Sequence, residues 1–179
     1  MTIRRPDPRE QQPPEAGDPL ASAVWIRPFA RGDDRAVREL VTRVLGEFDL
    51  TLDPEGTDAD LADVEAAYRG GGGEFWVVED GTGRIVGTCG LWPVPGDAAR
   101  CELRKMYLDP SLRGRGMGRQ LLETALEHAR AAGRTRVELE TNHRMTAAMA
   151  LYEAYGFRRT AHGGACTARC DRAYALELG

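Results

Sequence analysis

Apolar positions along this chain recur with two periods, and their alternation predicts the order of its elements. Val24 to Pro28 reads as a first strand. Val37, Leu40, Val41, Val44 and Leu45 then return at steps of three and four, one face of an amphipathic helix that Asp33 and Asp34 can cap. A second helix is expected from about 58 to 68, broken by the glycines at 70 to 73. Phe75 to Val78 and Ile85 to Trp92 are dense in β-branched and aromatic residues, and Asp80-Gly81-Thr82-Gly83 between them is a hairpin turn. A fourth strand runs from Cys101 to Leu108 and stops at Asp109-Pro110, because proline cannot donate to a sheet ladder. Met117, Leu121, Leu122, Ala125, Leu126 and Ala129 form a third helical stripe ended by Gly133. Val137 to Thr141 alternates as a strand, a fourth helix carries Tyr152, and Phe157 with Tyr174, Leu176 and Leu178 closes the sheet. Residues 1 to 22 hold five prolines among charges and glutamines and read as a disordered tail, which leaves 23 to 179 as one domain.

The most informative stretch joins the fourth strand to the third helix. Glu102-Leu103-Arg104-Lys105-Met106-Tyr107-Leu108 is followed by Arg113-Gly114-Arg115-Gly116-Met117-Gly118 and then the helix. The glycines allow a tight turn and close approach of a ligand, while the helix start aims unpaired N–H groups and its positive dipole end at the same point. Arg113, Arg115 and Arg119 add forked donors suited to phosphate. A Walker A loop needs Lys and Ser or Thr where Arg119 and Gln120 stand, and a dinucleotide fingerprint needs glycine where Arg119 stands. The pattern Arg/Gln-x-x-Gly-x-Gly/Ala is met instead, by Arg113, Gly116 and Gly118. Some thirty residues on comes Ala148-Met149-Ala150-Leu151-Tyr152-Glu153-Ala154-Tyr155-Gly156-Phe157. These two signatures, in this order, resemble those of the GCN5-related N-acetyltransferase (GNAT) family, and the ending from Arg169 to Leu178 is similar to the last strand of many members.

The resemblance covers roughly residues 24 to 179 and implies an α+β fold, the GNAT acyl-CoA N-acyltransferase fold. That fold has a mostly antiparallel twisted sheet of six to seven strands with about four helices. It implies acetyl-CoA as co-substrate and transfer of the acetyl group to a primary amine, small or amino acid-like, by direct attack in a ternary complex. Met106, Tyr107 and Leu108 would lie beside the pantetheine arm. The turn residues Arg113, Gly114, Arg115, Gly116, Met117 and Gly118, with Arg119, would hold the pyrophosphate. Tyr152 is the expected general acid for the departing thiolate; as a residue type it also suits a half-polar core position. Glu102, eleven residues before Arg113, is the candidate base, with Glu138 and Glu140 as substitutes; an ion pair to Arg104 or Arg136 accounts for Glu102 equally well. Where many members carry Asn, seven residues before the tyrosine, this chain has Met145, and Asn142 is three residues away. Two other functions stay open: a non-catalytic acyl-CoA-binding sensor or interaction module, and a protein N-terminal or lysine acetyltransferase.

Composition narrows this little further. A net charge of −4 argues against nucleic acid as partner, and no apolar run reaches membrane-spanning length. Without an apolar leader after Met1, the cytoplasm is the expected location, with the chain a monomer or homodimer. Cys89, Cys101, Cys166 and Cys170 lack metal-ligand spacing, so no metal is expected. Lys105 is the only lysine among 24 basic residues, which reads as compositional bias. Eight acids between Glu47 and Glu65 with no intervening base form either an acidic wall for a cationic amine or a solvated face.

Overall fold

The computed structural model describes residues 23–160 and 169–179. The predicted tail at 1 to 22 and Cys166 lie outside the described residues. Seven strands form one sheet in the order β1-β2-β3-β4-β5-β7-β6. They are β1 (Val24–Pro28), β2 (Glu74–Asp80), β3 (Ile85–Pro93), β4 (Arg100–Leu108), β5 (Arg136–Thr141), β6 (Arg158–Thr160) and β7 (Arg172–Glu177). Every pairing is antiparallel except β4 with β5, so the expected α+β class and mostly antiparallel sheet hold. The α-helices are α1 (Asp34–Gly46), α2 (Met117–Ala131) and α3 (Thr146–Ala154).

Helix α2 exists for the reason its spacing suggests: Leu121, Leu122 and Ala125 are fully buried against Cys101, Leu103, Val137 and Leu139 on one face of the sheet. Each such leucine contributes about 1.5–3 kcal/mol of burial. On the opposite face α1 buries Val37, Leu40, Val41 and Leu45 with Phe75 and Val77. Its start differs from the expected cap. The Asp33 carboxylate accepts from Arg27 at 2.7 and 3.0 Å and from the Ala30 amide at 2.8 Å, fastening β1 to the helix entry and capping no helical amide.

The second predicted helix is two short pieces, a 3-10 turn at Ala59–Ala62 and a π-helical turn at Glu65–Arg69. Its apolar residues Leu61, Val64 and Tyr68 do face the core, as the spacing requires. The continuous helix is lost because the Asp58 and Asp60 side chains turn inward to ion-pair with Lys105. Tyr68 then crosses over β3, edge-on to Phe75 at 5.0 Å and Trp92 at 5.4 Å. Glycine at position 90 permits this, since a Cβ there would stand 2.4 Å from Tyr68 Cε1.

Candidate active site

Strands β4 and β5 pair only from Arg100 to Leu103 and from Arg136 to Leu139. Beyond that point the two strands part, and among the described residues no strand lies on the β5 side of the last five residues of β4. The wedge opens into a cavity of about 770 Å³ whose walls include Glu102, Lys105, Met106, Tyr107, Tyr152 and Arg169. A bulge shapes the β4 wall: Thr88 and Gly90 of β3 face Tyr107 and Arg104, so β4 holds one extra residue. Lys105 sits in this bulge at φ +53°, and its carbonyl accepts from the Thr88 hydroxyl at 2.7 Å. The bulge reverses the alternation of the strand. Cys101 and Leu103 pack on the α2 side before it, and Met106 and Leu108 pack there after it, with Tyr107 on the α1 side.

The glycine turn follows. Gly114 and Gly116 take φ +70° and +84°, a region that strains residues with a side chain, and a Cβ at either would meet open space. Gly116 is the N-cap residue of α2. Among the described residues the amides of 114 to 116 have no hydrogen-bond acceptor, so the turn offers free donors at a helix N-terminus. Gly118 lies on the floor beyond, where a Cβ would come 3.4 Å from Leu108 and 3.6 Å from Leu151, between β4 and α3. The donors and the open floor fit a pyrophosphate and the arm attached to it.

The arginines divide. The Arg113 guanidinium is committed to Glu47 at 2.6 Å and to the Leu108 carbonyl at 2.8 Å, which ties the turn to the end of α1. Arg119 donates to Tyr155 at 2.9 Å and Glu123 at 3.1 Å on the outer face of α2. Arg115 has no ion pair or hydrogen bond among the described residues and is the expected phosphate donor left available. Met117 is buried in the core, so its contribution at the turn is its main chain.

Tyr152 is 5% exposed, its ring tilted against Phe157 at 5.8 Å, and its hydroxyl makes no hydrogen bond to a described residue. Burial, with Cys89 and Tyr107 nearby, pushes its pKa well up, so the phenol holds its proton and serves as a donor. Glu102 faces the cavity but pairs with Arg104 Nη2 at 2.5 Å, and that guanidinium stacks over Trp92 at 4.4 Å. Glu138, directly opposite Glu102 across the parallel pair, is held by Arg136 at 2.8 Å and Arg100 at 3.4 Å. Glu140 also lines the cavity. Asn142 does not take up the place of the missing asparagine: it is buried and donates to the Arg169 carbonyl at 2.7 Å. Met145 packs half-buried on the α1-side core.

The acidic segment is in part a solvated face, with Glu47, Asp49, Asp53, Glu55 and Asp63 exposed, and in part buried ion pairing. Glu47 pairs with Arg113, Glu65 with Arg31, and Asp58 and Asp60 are buried in ion pairs; Asp53 reaches the cavity wall. Asp58 was not singled out by the sequence. Burial alone would raise its pKa, but the Arg169 bonds, the Lys105 charge and the Asp53 amide prevail and hold it at about 2.

A split sheet with a free strand edge, running into a donor-lined turn at a helix start, defines an acyl-group transferase of the class the two motifs resemble. The sequence model of the acetyltransferase (GNAT) family matches residues 38–157, two thirds of the chain. The chain is 37% identical over 149 residues to the uncharacterized N-acetyltransferase YjgM of Escherichia coli K12, covering 82% of this chain and 89% of that one. An acetyltransferase of the GNAT family from Staphylococcus aureus Mu50 superposes with a TM-score of 0.81 at 24% identity, over 88% of this chain and 100% of that chain. The protein yncA of Salmonella typhimurium, solved with its cofactor acetyl-CoA, gives a TM-score of 0.68 at 25% identity, over 88% and 95%. The chain belongs to the acetyltransferase (GNAT) family and is an acetyltransferase. Among the described residues no helix is long and apolar enough to cross a membrane, and no group of three or more metal-ligating side chains occurs.

Proposed function

We propose that this protein transfers the acetyl group of acetyl-CoA to a primary amine, by direct attack within a ternary complex in the β4/β5 wedge. The observation that carries this reading is that, among the described residues, an unpaired strand edge and a protonated phenol without a hydrogen-bond partner share one cavity. The edge of residues 104 to 107, which no described strand covers, suits an extended amide-bearing arm added as a further strand, ending where Arg113 takes the Leu108 carbonyl. Amides 114 to 116 and the first turn of α2 take the pyrophosphate. Held so, the thioester carbonyl meets an amine entering at the paired end of the wedge, where Glu102 of β4 and Glu138 of β5 stand opposite each other. The amine nitrogen bonds to the carbonyl carbon, the carbon–sulfur bond breaks, and Tyr152 gives its proton to the sulfur. The proton lost by the amine goes to Glu102, released from Arg104, or to water ahead of it. The balanced Arg and Glu side chains of the cavity, and the net charge of −4, favour a small amine over nucleic acid as acceptor.

The test is coenzyme A release against a panel of amines, amino acids and peptide N-termini, with the acetylated product identified by mass spectrometry. Acetyl-CoA binding without transfer to any acceptor class would overturn the reading in favour of a sensor.

A further inference from the structure

The cavity is a break in a sheet, so its two lips need something to hold them at a set distance. On the α1 side one carboxylate spans the gap. Asp58, with a side chain 0% exposed, has Oδ1 2.9 Å from Lys105 Nζ, on the β4 lip. The same carboxylate takes both ends of the Arg169 guanidinium, Oδ2 at 2.6 Å and Oδ1 at 2.8 Å. Arg169 stands just before β7, which pairs with β5 from Arg172 opposite Thr141, so it belongs to the other lip. Asp58 Oδ2 also accepts from the Asp53 amide at 2.9 Å, and Arg169 donates to the Thr51 carbonyl at 2.9 Å, which draws the 51–58 segment over the gap.

The β4 arm of this bridge is built for a lysine. Its ammonium, 4% exposed, faces the Thr57 carbonyl at 2.9 Å, Asp58 Oδ1 at 2.9 Å and Asp60 Oδ1 at 3.2 Å, three oxygens around a group with three N–H donors. The contact to Asp60 is an ion pair without hydrogen-bond geometry. The planar fork of an arginine cannot converge on three such points, and this is the one position in the chain where lysine occurs. Lys105 is also the bulge residue at φ +53°, next in sequence to Met106 on the free edge. Its ammonium and its carbonyl, the latter held by Thr88, pin that conformation from both ends.

We propose that Asp58 is a positioning residue of the transfer reaction: by bridging Lys105 and Arg169 it sets the separation of the two lips, and so the alignment of the β4 edge against the acceptor wall. The inference rests on the wedge being the site of transfer. It assigns Asp58 no contact with substrate.

The experiment uses Asp58→Asn and Arg169→Gln in the full chain. The second cuts only the far arm and leaves Asp58 paired with Lys105, so it remains decisive should Asp58→Asn fail to fold. Coenzyme A affinity is measured by calorimetry, kcat and KM with the amine found in the panel, and amide hydrogen exchange over residues 104 to 108 against 121 to 129. The expected result is a kcat lower by roughly 10- to 100-fold, the scale of a misplacement of about an ångström, with coenzyme affinity nearly unchanged. Exchange should quicken over 104 to 108 and stay slow in α2. Arg169→Lys, which restores one donor, should recover part of kcat. A folded Arg169→Gln protein with wild-type kcat and exchange would overturn the proposal, and so would exchange that quickens equally in α2. Should wild type neither bind nor turn over acetyl-CoA, the transfer reading fails by itself, and the exchange pattern still decides whether the bridge holds the edge.

Discussion

Removing a single oxygen atom tests the role given to Tyr152. Its hydroxyl makes no hydrogen bond to a described residue and the side chain is 5% exposed, so Tyr152→Phe strands no partner in the fold and keeps the packing against Phe157. The cost to stability should stay below about 1 kcal/mol, a Tm change of no more than roughly 2–4 °C for a chain this size. The cost to catalysis is different in kind. A positioned proton donor contributes about 10- to 1,000-fold here, equivalent to roughly 1.4–4 kcal/mol of barrier. Because burial pushes the phenol's pKa up, wild type keeps the donor protonated across the working range, and the variant should be slower at every pH rather than only on one limb. Steady-state kinetics with acetyl-CoA and the best acceptor should therefore show kcat reduced and the coenzyme KM nearly constant. Wild-type kcat would make Tyr152 a packing residue and the sulfur's proton a matter for water; a raised coenzyme KM with kcat intact would equally refute the assignment.

Three further outcomes follow from other parts of the structure. Gly116→Glu forces a side chain onto a residue at φ +84°, costing about 1–2 kcal/mol, and sets a negative charge at the donor-lined turn; calorimetry should find coenzyme A binding abolished in a folded protein, and unchanged affinity would show that the turn is not the site. Gly90→Ala drives a Cβ into Tyr68 and should lower stability by about 1–3 kcal/mol in urea unfolding, whereas a neutral result would mean that the ring moves freely over β3. Asp58, held at about 2 against an ordinary 3.8, contributes stability that is full above the higher value and is lost as pH falls from about 5 towards 2. Urea midpoints of wild type should drop through that window more steeply than those of Asp58→Asn, and parallel curves would count against the bridge.

What could be read from the sequence was local. Helices α1 and α2, the hairpin at 80 to 83 and the strand-turn-helix run from β4 into α2 each depend on residues a few positions apart, and each stands where the spacing places it. The interrupted helix at 58 to 68 does not, because the pull on Asp58 comes from Lys105 and Arg169, 47 and 111 residues away. A strict alternation over 101 to 108 puts Lys105 on the α2 face; the bulge that denies this has no signature in the strand itself. Its one trace was the lone lysine in a chain that otherwise uses arginine, which read as compositional bias and proves to mark a site with room for an ammonium alone. Arg113 and Arg119 were legible as charges near the turn, but their partners Glu47, Glu123 and Tyr155 decide which way they point.

The bulge at Lys105 also separates two kinds of genetic change. What residues 106 to 108 offer the wedge is main chain, so exchanging one side chain for another of similar bulk leaves the offered groups in place. Losing the Lys105 codon is another matter: it would restore strict alternation with Met106, Tyr107 and Leu108 still on their present faces, but it would take away the bulge and the ammonium that meets Asp58. Residues 106 to 108 should therefore drift by substitution at similar bulk, while position 105 is held both in length and in residue type.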